Sequence, residues 1–171
     1  NNEENKKKVI STATISHFWS TIGFLVLFLL FRKDLALWSK INVEYIVFTI
    51  WILALDALAI IPFSKIRAES RPIKYAVIKI SNVVINLSLN IFFLAFLPNW
   101  AANTDNVFIQ TIYYEGFQIG YIFVSNLIAS LFTLLFVLPD YFKIKWEFDA
   151  DLWKKMMQYG LPILVAGIAF A

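Results

Sequence analysis

Four apolar runs constrain this chain more than any other feature. Residues 9–31, 45–63, 75–97 and 117–138 carry only two charged side chains among them, Asp56 and Lys79. Each run matches the roughly 17–25 residues that a helix needs to cross a hydrocarbon core about 30 Å thick. A soluble domain is about 45–50% apolar and about 25% charged. This chain is 60% hydrophobic and 16% charged, with the surplus gathered in blocks. That is the pattern of an all-α integral membrane protein with four complete transmembrane helices. The net charge of +3 is small and its lysines and arginines sit between the spans, which argues against nucleic acid as a partner. With no cysteine, disulfides, thiol chemistry and cysteine metal sites are excluded.

Both ends read as cut. The chain begins at Asn1, and residues 161–171 start an apolar segment too short to span. The expectation is a central fragment whose partners include the remainder of its own chain. Between the spans lie a mixed-charge loop at 32–44, a basic loop at 64–74 and a connection at 99–116 without lysine or arginine. Pro98 is expected to stop the third span and Pro139-Asp140 to close the fourth. Residues 141–160 mix Lys143, Lys145, Lys154 and Lys155 with Trp146, Phe148, Trp153 and Tyr159. Aromatic and basic residues together favour the headgroup zone, so this stretch reads as an amphipathic surface linker, its helix started by Asp149 or Asp151.

If every run crosses, twelve of the fifteen lysines and arginines fall on one side, that of the N-terminal segment, the 64–74 loop and the linker. The positive-inside rule makes that side cytoplasmic.

The polar residues within the runs need reasons. Asp56 is the costliest, since an Asp at a helix centre costs about 2.5–3.5 kcal/mol on insertion scales. It lies about 10 Å from the cytoplasmic boundary at 1.5 Å per residue, His17 about 12 Å and Asn82 about 10 Å. Three polar groups at one depth predict a cluster facing a water-accessible cavity. Asn82, Asn86 and Asn90 recur every four residues and share a face, as do Thr14, His17 and Thr21, and Asn126, Ser130 and Thr133. Such stripes serve either a polar pathway or interhelical packing. Pro62 and Pro162 break backbone hydrogen bonds and are hinge candidates, or simple span ends. In the basic loop, Lys65, Arg67 and Arg71 are phosphate-contact candidates, arginine being suited to bidentate pairing. The same charges also serve as a topology signal. No P-loop, HExxH, GxSxG or metal set is present, so no enzyme and no cofactor is expected.

The runs ILALDALAIIPFSKIRAESRPIKYAVIKISNVVINLSLNIFF and YIFVSNLIASLFTLLFVLPDYFKIKWEFDADLWKKMMQYGLPILVAGIAF resemble bacterial polysaccharide (O-antigen or lipopolysaccharide type) flippases. These belong to the multidrug/oligosaccharidyl-lipid/polysaccharide exporter superfamily. The resemblance covers nearly the whole chain, most strongly at 53–90 and 120–167. It implies two pseudo-symmetric bundles of six helices, with the four spans as the third to sixth helices and residues 1–140 as the second part of the N-terminal bundle. Residues 149–159 would link the bundles, and 161–171 would open the second.

The resemblance also implies a function: flipping undecaprenyl-diphosphate-linked oligosaccharide across the bacterial inner membrane. The basic loop would receive the diphosphate, the asparagines would meet sugar hydroxyls, and Asp56 would sense a proton or sodium ion. The alternatives are a cation-coupled drug or metabolite antiporter of the same superfamily, against which the basic loop argues, and a non-transporting membrane scaffold.

Overall fold

The computed structural model describes residues 2–104 and 106–169, and all regular structure among them is helical. Helix α1 spans Asn2–Leu30. It starts well before residue 9, because Lys6, Lys7 and Lys8 are good helix formers and nothing in front of the apolar run breaks the pattern. Lys8 pairs with Glu4 one turn earlier, at 3.8 Å. The expected loop at 32–44 is mostly a short helix, α2 (Arg32–Ser39), ended by Lys40 in the left-handed conformation (φ 58°).

Helix α3 (Val43–Ala68) opens on Asn42, whose side chain accepts from the Glu44 amide at 3.2 Å. Glu44 in its first turn and Lys65 and Arg67 in its last complement the helix dipole. The span does not break at Pro62. That residue is buried within the helix, which runs two further turns. Membrane helices tolerate proline because close packing and neighbouring groups compensate the lost bond. The expected 64–74 loop therefore shrinks to a three-residue turn. Ser70 takes a left-handed φ of 53°, its amide bonds Arg67 O, and the Arg71 amide bonds Ile66 O. This is a Schellman ending, followed at once by Pro72 in the first turn of α4.

Helix α4 (Pro72–Ile91) is continuous with a π turn at Phe92–Phe96 and with α5 (Leu97–Ala102). Pro98 does not stop the span. It lacks an N–H and its ring crowds the carbonyl four residues back, and the wide turn immediately before it accommodates both. The expected connection at 99–116 contains a small helix, α6 (Val107–Ile112), folded back on α5. Gln110 Nε2 donates to Ala101 O at 2.8 Å, and Leu97, Ala101, Ile109 and Tyr121 form a cluster there.

Helix α7 (Gln118–Tyr141) also runs through its proline, Pro139, and carries Asp140 in its last turn. It packs against both α3 and α4, while α1 packs on the other side of α3. Small and hydroxylated residues make the close approach feasible: Ser125, Ala129, Ser130 and Thr133 are all buried. The Ser125 and Thr133 hydroxyls are satisfied by the Tyr121 and Ala129 carbonyls one turn back. A core of Ala59, Phe63, Ile66, Ile78 and Val137 closes the charged end of the bundle.

The last helix, α8 (Ala150–Ala169), is capped by Asp149, whose carboxylate accepts from the Leu152 amide at 2.9 Å. It crosses the expected linker boundary at 160/161 without interruption, with Pro162 inside it; the expectation for residues 170 and 171 lies outside the described residues. Among the described residues, four helices are long and apolar enough to cross a bilayer: Glu4–Leu30, Val43–Ala68, Pro72–Ala102 and Gln118–Tyr141. This is a multi-pass membrane protein.

Candidate functional site

Among the described residues, four arrangements of polar groups stand out. The first is a seam between α4 and α7. Asn82 Nδ2 donates to Thr133 Oγ1 at 2.8 Å, Asn86 Nδ2 to Asn126 Oδ1 at 3.2 Å, and Asn90 Nδ2 to Asn86 Oδ1 at 2.6 Å. The asparagine stripe thus exists as read, but it bonds to the neighbouring helix and to itself. Asn90 Oδ1 is buried without a partner.

The second arrangement concerns His17 and Asp56. His17 Nε2 lies 2.7 Å from Ala57 O, which fixes the proton on Nε2, because only an N–H can bond a carbonyl. His17 and Thr21 line a cleft of about 250 Å³ between α1 and α3, otherwise walled mainly by apolar side chains such as Phe24, Phe28, Ile50 and Leu53. Asp56 is one residue from Ala57 yet points elsewhere. It is exposed on α3 in a stripe with Leu53 and Ile60, and has no hydrogen-bond or ion-pair partner among the described residues. The expected convergence of Asp56, His17 and Asn82 is absent. Their depths are similar, but Asn82 bonds α7, His17 bonds the α3 backbone, and Asp56 faces out of the bundle.

The third arrangement is an ionic network at the basic end, centred on a residue that sequence reasoning passed over. Asp140 is fully buried. Lys74 Nζ pairs with its Oδ2, Arg71 Nη2 lies 3.7 Å from its Oδ1, and Lys65 Nζ donates to its backbone carbonyl at 3.3 Å. Glu69 pairs with Arg71 and lies 4.0 Å from Lys65. The hydrogen bond that Arg71 donates to Glu69, then the charges of Glu69 and Asp140, hold its guanidinium above the ordinary pKa against the lowering effect of burial. Arg71 is therefore cationic at any working pH.

Of the three phosphate-contact candidates, Lys65 and Arg71 are engaged with these acids. Arg67 lies over the Tyr75 ring, 5.5 Å from its centroid. The network staples the ends of α3, α4 and α7 together. The signal for Asp140 was present in the sequence: a lone acid at the end of an apolar run, on the same side as the basic loop. Reading Pro139-Asp140 as a span terminator hid it.

A further polar set on α1 also escaped the sequence reading. Ser11 accepts from the Glu147 amide at 2.8 Å and donates to the Glu147 carbonyl at 2.7 Å, and its hydroxyl also meets the Lys145 carbonyl. Thr12 Oγ1 accepts from the Asp149 amide at 3.2 Å, and Trp153 Nε1 donates to Ser16 Oγ at 2.8 Å. These hydroxyls dock the irregular segment after α7, whose backbone has no helix or sheet to satisfy it. Among the described residues no three His, Cys, Asp or Glu side chains gather as a metal site. Compared with protein-family models, curated proteins and solved structures, the chain matches none.

Proposed function

We propose that this chain is part of a bacterial inner-membrane exporter that flips undecaprenyl-diphosphate-linked oligosaccharide for surface polysaccharide synthesis, with the basic end cytoplasmic. The observation that carries the proposal is Asp56. A carboxylate in the middle of a span, exposed and unpartnered in its own bundle, is costly against lipid, by about 2.5–3.5 kcal/mol on insertion scales. The face that bears it therefore looks onto water or onto another polar surface. A cavity between two helical bundles supplies such a surface, and it is what a hydrated sugar and a diphosphate need in order to pass hydrocarbon.

In this reading the described bundle is the second part of an N-terminal half, and α8 leads into a second bundle. Asp56 edges the pathway and binds a coupling proton or sodium ion, while His17, bonded to the Ala57 carbonyl, faces a separate cleft. The asparagine seam holds α4 and α7 rigid beside it. Pro62 and Pro162, both inside continuous helices, are places where those helices bend as access alternates.

Asp56 equally favours a second reading, a cation-coupled antiporter of the same superfamily, in which the carboxylate exchanges the coupling ion for a cationic substrate. Deleting the full-length gene separates the two. The flippase reading expects lipid-linked oligosaccharide trapped on the cytoplasmic leaflet, and normal surface polysaccharide would sink it. Asp56→Asn at unchanged protein level should abolish export. Undiminished export would remove Asp56 from the pathway.

A further inference from the structure

We propose that the basic end of the bundle holds one anionic phospholipid, its phosphate among a ring of lysines and an acyl chain in an apolar groove alongside. The inference rests on the membrane character of the protein and is independent of what the protein transports.

Two observations carry it. First, the start of α1, the end of α3 and the segment after α7 enclose a cavity of about 490 Å³ lined by Lys6, Lys7, Lys65, Lys143 and Lys145, with Glu69 the single acid among the described residues. Glu69 is already paired with Arg71 and lies near Lys65, whereas Lys143 and Lys145 have no carboxylate within ion-pair distance among the described residues. Lys7, Lys143 and Lys145 bring ammonium groups from two segments to one opening, and they form a site for a phosphate. Topology alone asks only that lysines lie on this side, and Lys154 and Lys155 meet that demand without lining the cavity.

Second, the same short segment, residues 141–146, walls a second cavity of a different kind with its other side chains. Lys143, Ile144 and Lys145 line the basic opening, while Phe142 and Trp146 line a groove of about 260 Å³ completed by Phe18, Leu58, Leu134 and Leu138. A soluble phosphate or nucleotide has no use for that groove, and an acyl chain does. A phosphate beside a hydrocarbon tail is what a phospholipid presents at an interface. The hydroxyls of Ser11 and Thr12 hold the dividing segment in place through its backbone, so the site is built before any lipid arrives.

The experiment is native mass spectrometry of the full chain released from detergent, titrated with phosphatidylglycerol, phosphatidylcholine, dihexanoyl phosphatidylglycerol and inorganic phosphate. One discrete phosphatidylglycerol adduct is expected, with phosphatidylcholine and the short-chain lipid binding far more weakly. Lys143→Ala with Lys145→Ala should weaken the adduct at least about tenfold, since each lysine near an anionic surface contributes a several-fold factor. The change leaves the Ser11 contacts to the backbone intact.

Lys154→Ala with Lys155→Ala removes the same charge from α8 and should leave the adduct unchanged. Equal losses in the two lysine pairs would overturn the proposal, showing diffuse attraction only. Displacement by millimolar inorganic phosphate would overturn it in favour of a soluble anion. Displacement by equimolar undecaprenyl diphosphate would overturn it in favour of a transported lipid.

Discussion

Two aspartates on apolar helices, Asp140 and Asp56, have opposite fates. Asp140 ends α7 fully buried, with Lys74 and Arg71 on its carboxylate and Lys65 on its carbonyl. Asp56 lies mid-span on α3, exposed and unpartnered. The bundle itself explains the first, because three cations from α3, the following turn and α4 compensate one buried charge. Nothing in the bundle explains the second. A charge that the fold satisfies is evidence about assembly, and a charge that it leaves unsatisfied is evidence about surroundings. Asp140 is therefore a structural staple, and Asp56 is the residue on which function is best tested.

The comparison breaks most visibly at Asp140. Asp140→Ala strands Lys74 and Arg71, and removing one partner of a buried pair costs about 3–5 kcal/mol. Because both cations are about one-third exposed, at 33% and 38% of their side-chain surface, water recovers part of this and a loss of about 2–4 kcal/mol is expected. Thermal unfolding of the purified chain in detergent, followed by circular dichroism, measures it; a loss under about 1 kcal/mol would show the network to be incidental.

A smaller effect is expected at the seam. Asn86→Leu removes its bonds to Asn126 and Asn90 and should cost about 0.6–1.7 kcal/mol by the same measurement, the range for interhelical bonds in membranes. If that variant were fully stable yet blocked export, the asparagines would belong to the pathway and not to packing.

Ser70→Gly should stabilise by about 0.5–1 kcal/mol, because glycine adopts a φ of 53° without the clash that serine suffers. A loss instead would mean that the turn between α3 and α4 is held by something other than its backbone bonds. The smallest change in stability is expected at Asp56. Asp56→Asn should shift unfolding by less than about 0.5 kcal/mol, as for exposed sites without partners, while abolishing export. A large destabilisation there would give Asp56 a structural partner and erase the contrast with Asp140.

The membrane character, the four spans and their rough positions were legible from hydropathy alone. The ends were less so. Pro62, Pro98 and Pro139 each read as a stop, and each is inside a helical span in the structure. A proline removes one hydrogen bond and crowds one carbonyl, and whether the helix survives that depends on what packs around it. The basic stretch at 64–74 read as a loop for the same reason, although it is mostly the last turn of α3 and the first of α4. The docking of Ser11, Thr12 and Ser16 onto residues 145–153 was not legible at all. Their partners are more than 130 residues away, and two of the three receive backbone amides that carry no sequence signature.

By itself the sequence determined which residues share a helix face. Periodicity is local, and 3.6 residues per turn places Asn82, Asn86 and Asn90 together whatever surrounds them. It also determined at which end of the bundle the cations gather, through the alternation of the segments between the spans. Only the tertiary structure decided what each face meets. The asparagines meet α7, the lysines of α1 meet those that follow α7, and Asp56 meets no polar partner. The difference is physical: a helix sets the angle of every side chain from its own backbone, whereas its neighbours are chosen by packing between segments far apart in the chain.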